Sequence, residues 1–340
     1  MKILVTGAAG FIGFFVAKTL LERGHTVVGL DNINDYYDVN LKYDRLKELG
    51  VNKNEAEIYN SISQSNKDSK FSFIRLNLED RENLPVLFKK EAFDKVCNLA
   101  AQAGIRYSLE NPEAYIDSNV VGFLNILECC RNSAIKHLVY ASSSSVYGSN
   151  EKVPFKTTDQ VDHPISLYAA TKKSNELMAY TYSHLYDFYT TGLRFFTVYG
   201  PWGRPDMAYF SFTEKIIENQ PINVYNNGQH ARDFTYIDDI VNGLILVLEK
   251  EYKPNFATPS NSSIYNIGKG TPVKLMDFIN EIASNLDKEV KTVMMPMQAG
   301  DVHTTWADTT ELKTNYDYLA EINLEQGVKR FIDWYRSYKK

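Results

Sequence analysis

Cysteine is scarce in this chain of 340 residues: there are three, Cys97, Cys129 and Cys130, two of them adjacent. That number and spacing exclude a disulfide framework and a paired-cysteine metal site, and fit small buried hydrophobes in a reducing compartment. Positive charge is not in excess either. With 37 Lys and Arg against 42 Asp and Glu, the formal net charge is −5, so the chain lacks the broad basic face that attracts nucleic acid. An anionic ligand must therefore be met by a local cluster of arginines. No apolar run approaches the ~18 residues of a membrane span. The stretch from Met1 to Gly10 already reads as a strand entering a glycine turn, which leaves no room for a signal peptide and points to the cytoplasm. No metal site, nucleic-acid surface or membrane segment is expected. What is present is ordinary for a globular protein, 44% hydrophobic and 23% charged residues. That is enough to bury a core, and the length suits one large α/β unit carrying a second lobe.

Short apolar runs rich in β-branched residues recur along the first half: Ile3 to Thr6, Val27 to Leu30, Phe71 to Leu76, Lys95 to Leu99, His137 to Ala141 and Thr190 to Phe195. Between them lie stretches of helical period, among them Phe11 to Glu22, Ala114 to Arg131 and Leu167 to Tyr186. Strands apolar on both faces and separated by crossover helices make a doubly wound parallel sheet of the Rossmann type. From Met207 onward the pattern loosens into helices, short strands and turns marked by Pro and Gly, read as a smaller C-terminal α/β lobe. Residues 1–189 are thus expected to form mainly the dinucleotide-binding domain. The strand 190–196 returns to its sheet, and 197–340 form mainly a substrate lobe interleaved with it. The active site belongs in the cleft at the carboxyl ends of the strands. Gly50 to Lys70, polar and without a clear period, reads as a mobile or weakly helical surface excursion with no chemistry.

Gly7-Ala8-Ala9-Gly10-Phe11-Ile12-Gly13 follows the first strand and opens the first helix, the context that a dinucleotide fingerprint requires. Glycines let the backbone approach a pyrophosphate, and the helix N-terminus supplies free N–H groups and partial positive charge. Asp31, followed by Asn32, ends the second strand, where a carboxylate about 20 residues beyond the glycines hydrogen-bonds the ribose hydroxyls and repels a 2′-phosphate. NAD is favoured over NADP. Tyr168-Ala169-Ala170-Thr171-Lys172 then places a phenol and an ammonium on one helix face. A free phenol titrates near ~10, so a tyrosine base at neutral pH needs roughly 4 kcal/mol of differential stabilisation. A nearby Lys and the positive nicotinamide of NAD both supply it in principle.

The three-glycine spacing, the Tyr-x-x-x-Lys pair and the hydroxyl-rich Tyr140-Ala141-Ser142-Ser143-Ser144-Ser145-Val146-Tyr147-Gly148 together resemble the extended short-chain dehydrogenases/reductases, over nearly the whole chain. The resemblance implies that Ser143 is the catalytic hydroxyl beside Tyr168 and Lys172. It also implies that Asn77-Leu78 and Leu99-Ala100-Ala101-Gln102 close over the adenine and the nicotinamide ribose. The family usually has Asp where Asn77 stands. Sugar dehydratases of the family carry Asp-Glu just after the catalytic hydroxyl residue, and UDP-glucuronate decarboxylases carry Glu at the position of Ser145. This chain has Ser144 and Ser145 there, so oxidation and re-reduction at C4 becomes the default.

Three stretches are similar to those of the UDP-glucuronate 4-epimerases: Ala100 to Ser108, Gly200 to Ala208 and Ala231 to Asp239. The similarity implies a UDP-sugar held by Arg204, Arg232 and Asp301, with Arg106 nearby. Arginine suits a diphosphate because its fork donates two parallel hydrogen bonds. Thr197, where galactose epimerases carry Asn, leaves room and a donor for a C6 carboxylate, to which Ser144 and Ser145 add two more. The family also pairs into homodimers through a four-helix bundle, with Ala114 to Arg131 and Leu167 to Tyr186 as the matching segments. A UDP-glucose or UDP-N-acetylglucosamine 4-epimerase, a UDP-glucuronate decarboxylase and a non-catalytic NAD-sensing regulator are the alternatives.

Overall fold

Strands that are apolar on both faces are satisfied only inside a sheet covered on both sides, and the chain builds one. The computed structural model describes residues 1–255, 261–298 and 300–339. In chain order the strands are β1 (Lys2–Thr6), β2 (Thr26–Asp31), β3 (Ile62–Gln64), β4 (Phe71–Arg75), β5 (Lys95–Asn98), β6 (His137–Ser143) and β7 (Tyr189–Phe195), followed by β8 (Thr197–Tyr199), β9 (Ile222–Val224), β10 (Ala231–Arg232), β11 (Phe234–Tyr236), β12 (Ser262–Ile267), β13 (Val273–Lys274) and β14 (Thr292–Met294). The main sheet runs β3-β4-β2-β1-β5-β6-β7-β12, parallel except for β3. Side chains alternate between two cores. Ile3 and Val5 of β1 join Phe14, Val27 and Phe71 on one face, while Leu4 joins Val28, Val96 and Leu127 on the other. Strand order reverses on either side of β1, which opens the ligand crevice of a doubly wound sheet at that point.

The helices Phe11–Glu22 and Leu167–Tyr186 have the bounds their periodicity predicts. The segment Ala114 to Arg131 is helical throughout, as expected, but it is not uniformly α. A turn at Pro112–Tyr115 passes into a π-helical stretch, Ile116–Val121, before the α-helix Gly122–Asn132. The wider turn brings Asn119 into the interior, where its Oδ1 accepts from Gln102 N at 2.8 Å and its Nδ2 donates to Gln102 O at 3.0 Å. Such wide turns recur at functional sites, and this one fixes a loop that lines the cleft.

The polar excursion 50–70 is also more ordered than its composition suggests. It carries a short helix, Lys53–Ala56, and β3, which adds an antiparallel edge to β4. Ser65 Oγ donates to Leu49 O at 2.7 Å and accepts from Lys67 N and Asp68 N, so local side-chain bonds do what an apolar pattern would otherwise signal.

The remaining strands pair as β8 with β11, β9 with β14 and β10 with β13. They pack with the helices Ala208–Ile217, Leu275–Leu286 and Leu324–Tyr338 around Tyr199, Tyr209, Phe278 and Phe331. Two elements expected in this lobe belong to the other. β12 extends the main sheet beside β7, and the helix Ile237–Glu249 covers that sheet, tied to it where Glu249 pairs with Arg23 at 2.6 Å and His25 at 2.9 Å. No helix among the described residues is long and apolar enough to cross a membrane.

Candidate active site

At the carboxyl ends of the strands the two lobes enclose a cavity of 760 Å³. Its dinucleotide end is built from backbone. Gly7 sits at φ +72°, and a Cβ there would stand 2.9 Å from Ala100 N; a Cβ on Gly13 would stand 2.1 Å from Gly7 O. Only glycine permits this packing of turn, helix and neighbouring loop. Gly10 caps the helix Phe11–Glu22 without a side-chain acceptor, and no acidic residue occupies the first turn. The N–H groups and partial positive charge are thereby left for an external anion. Asp31 closes β2, its Oδ1 accepting from Ile33 N at 2.8 Å and its Oδ2 from Ala9 N at 3.1 Å, so the carboxylate is fixed relative to the glycine turn.

The loop after β5 is positioned from below. Thr6 Oγ1 donates to Asn98 Oδ1 at 2.7 Å and accepts from Leu99 N and Ala100 N, both at 3.1 Å. Gln102 lines the cavity, and its buried Nε2 has no hydrogen-bond partner among the described residues. An unpaired buried donor beside a glycine-built anion cradle fits a dinucleotide, which supplies acceptors along its length. Phe11, Ile12, Asn32, Leu78 and Ala101 line the same cavity. Asn77 does not: its side chain is exposed and lies off the lining, because alternation along the chain turns it outward while Leu76 and Leu78 are buried.

Where the dinucleotide end meets the other lobe stand Ser143, Tyr168 and Lys172. Ser143 ends β6, and its Oγ accepts from Ser145 Oγ at 2.7 Å and Ser145 N at 3.2 Å. Tyr168 lies in the first turn of its helix, which Ser166 caps by accepting from Ala169 N at 3.1 Å. Of the two cationic influences expected on the phenol, Lys172 is not one of the groups that set its value among the described residues. Burial holds the Tyr168 phenol above its ordinary value, opposed by a hydrogen bond with Ser143 and by the charge of Arg204. Lys172 Nζ instead donates to Ala141 O at 2.9 Å, and its own burial pulls it down to about 8. Behind the pair, Glu176 is gripped by Arg194 through Nε at 2.8 Å and Nη2 at 2.9 Å, and accepts from Ser142 Oγ at 2.6 Å. That buried knot ties the end of β6 to the helix carrying Tyr168, and nothing in the local sequence announces it.

The far end of the cavity is built from side chains. Ser144, Ser145, Thr197, Arg106, Arg204, Arg232 and Asp301 all line it. Arg232 donates to Ala231 O and His303 O, each at 3.0 Å, and Asp301 is the one carboxylate that favours its charge. Its fork therefore faces no bidentate carboxylate and suits an anionic ligand. Arg204 is also within electrostatic reach of Tyr168, with its fork on Asp206 at 3.1 and 2.8 Å. Asp206 also accepts from Tyr36 OH at 3.2 Å, which joins the two lobes across the cleft. Arg106 is exposed and lies 5.2 Å from the centre of the Tyr225 ring. Tyr36, Lys42, Asp206 and Tyr225 escaped the sequence reading, although the Tyr36-Tyr37 pair just after Asp31 was a visible signal.

A glycine-turn dinucleotide cradle on a doubly wound sheet, meeting a Ser-Tyr-Lys set and an arginine-lined lobe, defines an NAD-dependent enzyme of the extended short-chain dehydrogenase type. Comparison with known proteins narrows this. Residues 3–268 match the NAD dependent epimerase/dehydratase family, to which the chain belongs. It is 52% identical to Protein CapI of Staphylococcus aureus, with all of both chains covered. It is 44% identical to a probable UDP-glucuronate 4-epimerase of Rhizobium meliloti, over 98% of this chain and 97% of that one. A solved UDP-glucuronic acid 4-epimerase of Bacillus cereus, in complex with UDP-glucuronic acid and NAD, superposes with a TM-score of 0.87 at 30% identity, covering 99% of this chain and all of the other. The chain is an NAD-dependent isomerase of the UDP-sugar 4-epimerase class.

Proposed function

We propose that the chain interconverts UDP-glucuronate and UDP-galacturonate. One observation carries the reading: the wall beside Ser143 and Tyr168 is furnished with the hydroxyls of Ser144, Ser145 and Thr197, and the loop 142–148 holds no carboxyl group. Neutral hydroxyls there can donate to a sugar carboxylate without offering the acid and base that elimination of water demands. The similarity to relatives named for UDP-glucuronate supports the choice of sugar.

Bound NAD supplies the hydride acceptor and the returning hydride; the chain's residues do the rest. Tyr168 takes the proton of the sugar 4-OH, with Ser143 bonded to the same oxygen and orienting it. The resulting 4-keto sugar turns over between the lobes and accepts hydride on its other face, while Tyr168 returns the proton. Arg232 and Asp301 hold the nucleotide end during the turn. A 4-keto uronate is a β-keto acid, which loses CO2 when the carboxylate bond aligns with the carbonyl π system. Thr197, Ser144 and Ser145 keep it out of that alignment.

The test is turnover of UDP-glucuronate, UDP-glucose and UDP-N-acetylglucosamine by the purified holoenzyme, with CO2 monitored. UDP-galacturonate as the main product, without CO2, is the expected result, and Tyr168→Phe lowers kcat by roughly 10³-fold while nucleotide binding persists. Preferential turnover of a neutral sugar, or release of CO2 as the main reaction, refutes the reading. An inactive protein that binds NAD would make it a sensor. The same reading includes a homodimer in the cytoplasm. Ile116, Leu177, Tyr180 and Leu185, on the two long helical segments, are each at least 41% exposed, an apolar face that suits a second copy.

A further inference from the structure

Arg45, in the helix Val39–Glu48, is fully buried at 0% exposure, yet it is neither part of the cavity lining nor within ion-pairing distance of any carboxylate among the described residues. A buried guanidinium without a counter-charge is costly unless its donors are all used. Here they are spent on two loops at once. Nη1 donates to Ala9 O at 2.8 Å and to Tyr37 OH at 2.8 Å. Nε and Nη2 donate to Trp202 O at 3.1 and 2.6 Å, and Nη2 reaches Gly203 O at 3.3 Å. Ala9 immediately precedes the helix-capping Gly10 of the dinucleotide turn. Trp202 and Gly203 immediately precede Arg204.

The second loop depends on this grip. Trp202 sits at φ +60°, a conformation that an L side chain rarely adopts. Its ring is clamped by Phe14 at 5.7 Å, Trp334 at 5.4 Å and Tyr338 at 5.2 Å. At the next residue a Cβ would stand 1.8 Å from Tyr209 OH, so Gly203 gives the chain one path into the cavity. The strained carbonyl of Trp202 is therefore held from behind by the same guanidinium that holds the dinucleotide turn. Two loops sharing one rigid five-donor group cannot shift independently.

We propose that Arg45 is a positioning residue that couples occupancy of the dinucleotide turn to the presentation of Arg204, so that a uridine nucleotide in the substrate lobe slows cofactor loss, and bound cofactor tightens the uridine nucleotide. The proposal rests on the UDP-sugar reading above. By linkage the gain in NAD affinity on binding UDP equals the gain in UDP affinity on binding NAD, and slower release is the kinetic readout of the first. UDP is the right probe, because it lacks the sugar ring that would otherwise touch the nicotinamide and couple the sites directly.

The test follows release of bound NAD from wild-type holoenzyme, Arg45→Lys and Arg45→Met at zero and saturating UDP, with UDP affinity by calorimetry and thermal unfolding measured in parallel. In the wild type UDP slows release by about 5-fold or more, the lower range of measured couplings. In Arg45→Lys, whose ammonium cannot span both loops, the factor falls toward one although both ligands still bind, and KM for the sugar nucleotide rises more than kcat falls. A purely structural arginine would lower the unfolding midpoint and leave the factor unchanged; that result overturns the proposal. Should both variants fail to fold, hydrogen exchange on the wild-type holoenzyme decides: UDP must protect the amides of residues 8–14, and unchanged exchange there refutes it. Failure of UDP to bind the wild type at all would instead sink the UDP-sugar reading, and this proposal with it.

Discussion

The two ends of the cavity both face anions, and they are made of different material. The dinucleotide end is backbone: glycines on which a Cβ would stand 2.1 to 2.9 Å from neighbouring main-chain atoms, and a helix terminus left without a side-chain cap. The substrate end is side chain: Arg232 on carbonyls, Arg204 on Asp206, and hydroxyls set along a loop. A site of close-packed backbone has no slack, so a single added methyl group propagates into the chain itself. A site of long side chains loses one interaction at a time. The first should therefore fail abruptly and the second by degrees.

Gly13→Ala probes the abrupt end. The new Cβ would collide with the carbonyl of Gly7, and because both atoms are held by the main chain neither can rotate away. The expected outcome is a protein that carries no NAD through gel filtration and has no measurable turnover. Retained cofactor with near-normal activity would show that the turn has more give than its packing implies. Arg232→Gln probes the graded end. It removes a charge-assisted donor pair while leaving the neighbouring Asp301 and His230 in place. KM for the sugar nucleotide should rise roughly 10- to 100-fold, as for loss of a hydrogen bond to a charged group, with kcat within a few-fold and NAD content unchanged. An equal fall in kcat would mean that Arg232 acts in the chemical step, not only in holding substrate.

The same difference in material explains what could be read from the sequence. Gly7, Gly10, Gly13 and Asp31 have fixed spacings because backbone geometry fixes them, and all four line the cavity. The Tyr168 and Lys172 pair is legible for the same reason, one turn of helix. Arg204, by contrast, is visible as a residue but not in its surroundings: its fork lies on Asp206, two residues on, and Asp206 in turn accepts from Tyr36 of the other lobe, a contact that only the folded chain makes. Arg45 and Asn119 were invisible. One sits in an unremarked helix, and the other depends on a π-helical turn that no apolar period predicts. Asn77 failed in the opposite sense, because a motif position was carried over to a side chain that points outward. The edge strand β3 and the return of β12 to the sheet escaped because short strands in polar surroundings carry almost no pattern of their own.

Where the two ends meet, two groups titrate in opposite senses, and the smallest effect is expected there. Tyr168 must lose its proton to act as base, so activity climbs as pH rises; burial delays that loss, while Ser143, Arg204 and, in the holoenzyme, the positive nicotinamide advance it. Lys172 must keep its proton to remain a cation and a donor, so activity declines once pH passes through about 8. The profile of kcat/KM against pH should be a bell whose limbs belong to different residues. Arg204→Gln removes the one charged side chain of the substrate lobe that acts on the phenol, so the rising limb should move to higher pH. The falling limb should stay, because the value of Lys172 is set by burial alone. Limbs that move together would mean that the two groups titrate as a coupled pair. A rising limb that does not move would remove Arg204 from the chemistry and leave it the nucleotide-holding role alone that the resemblance implies.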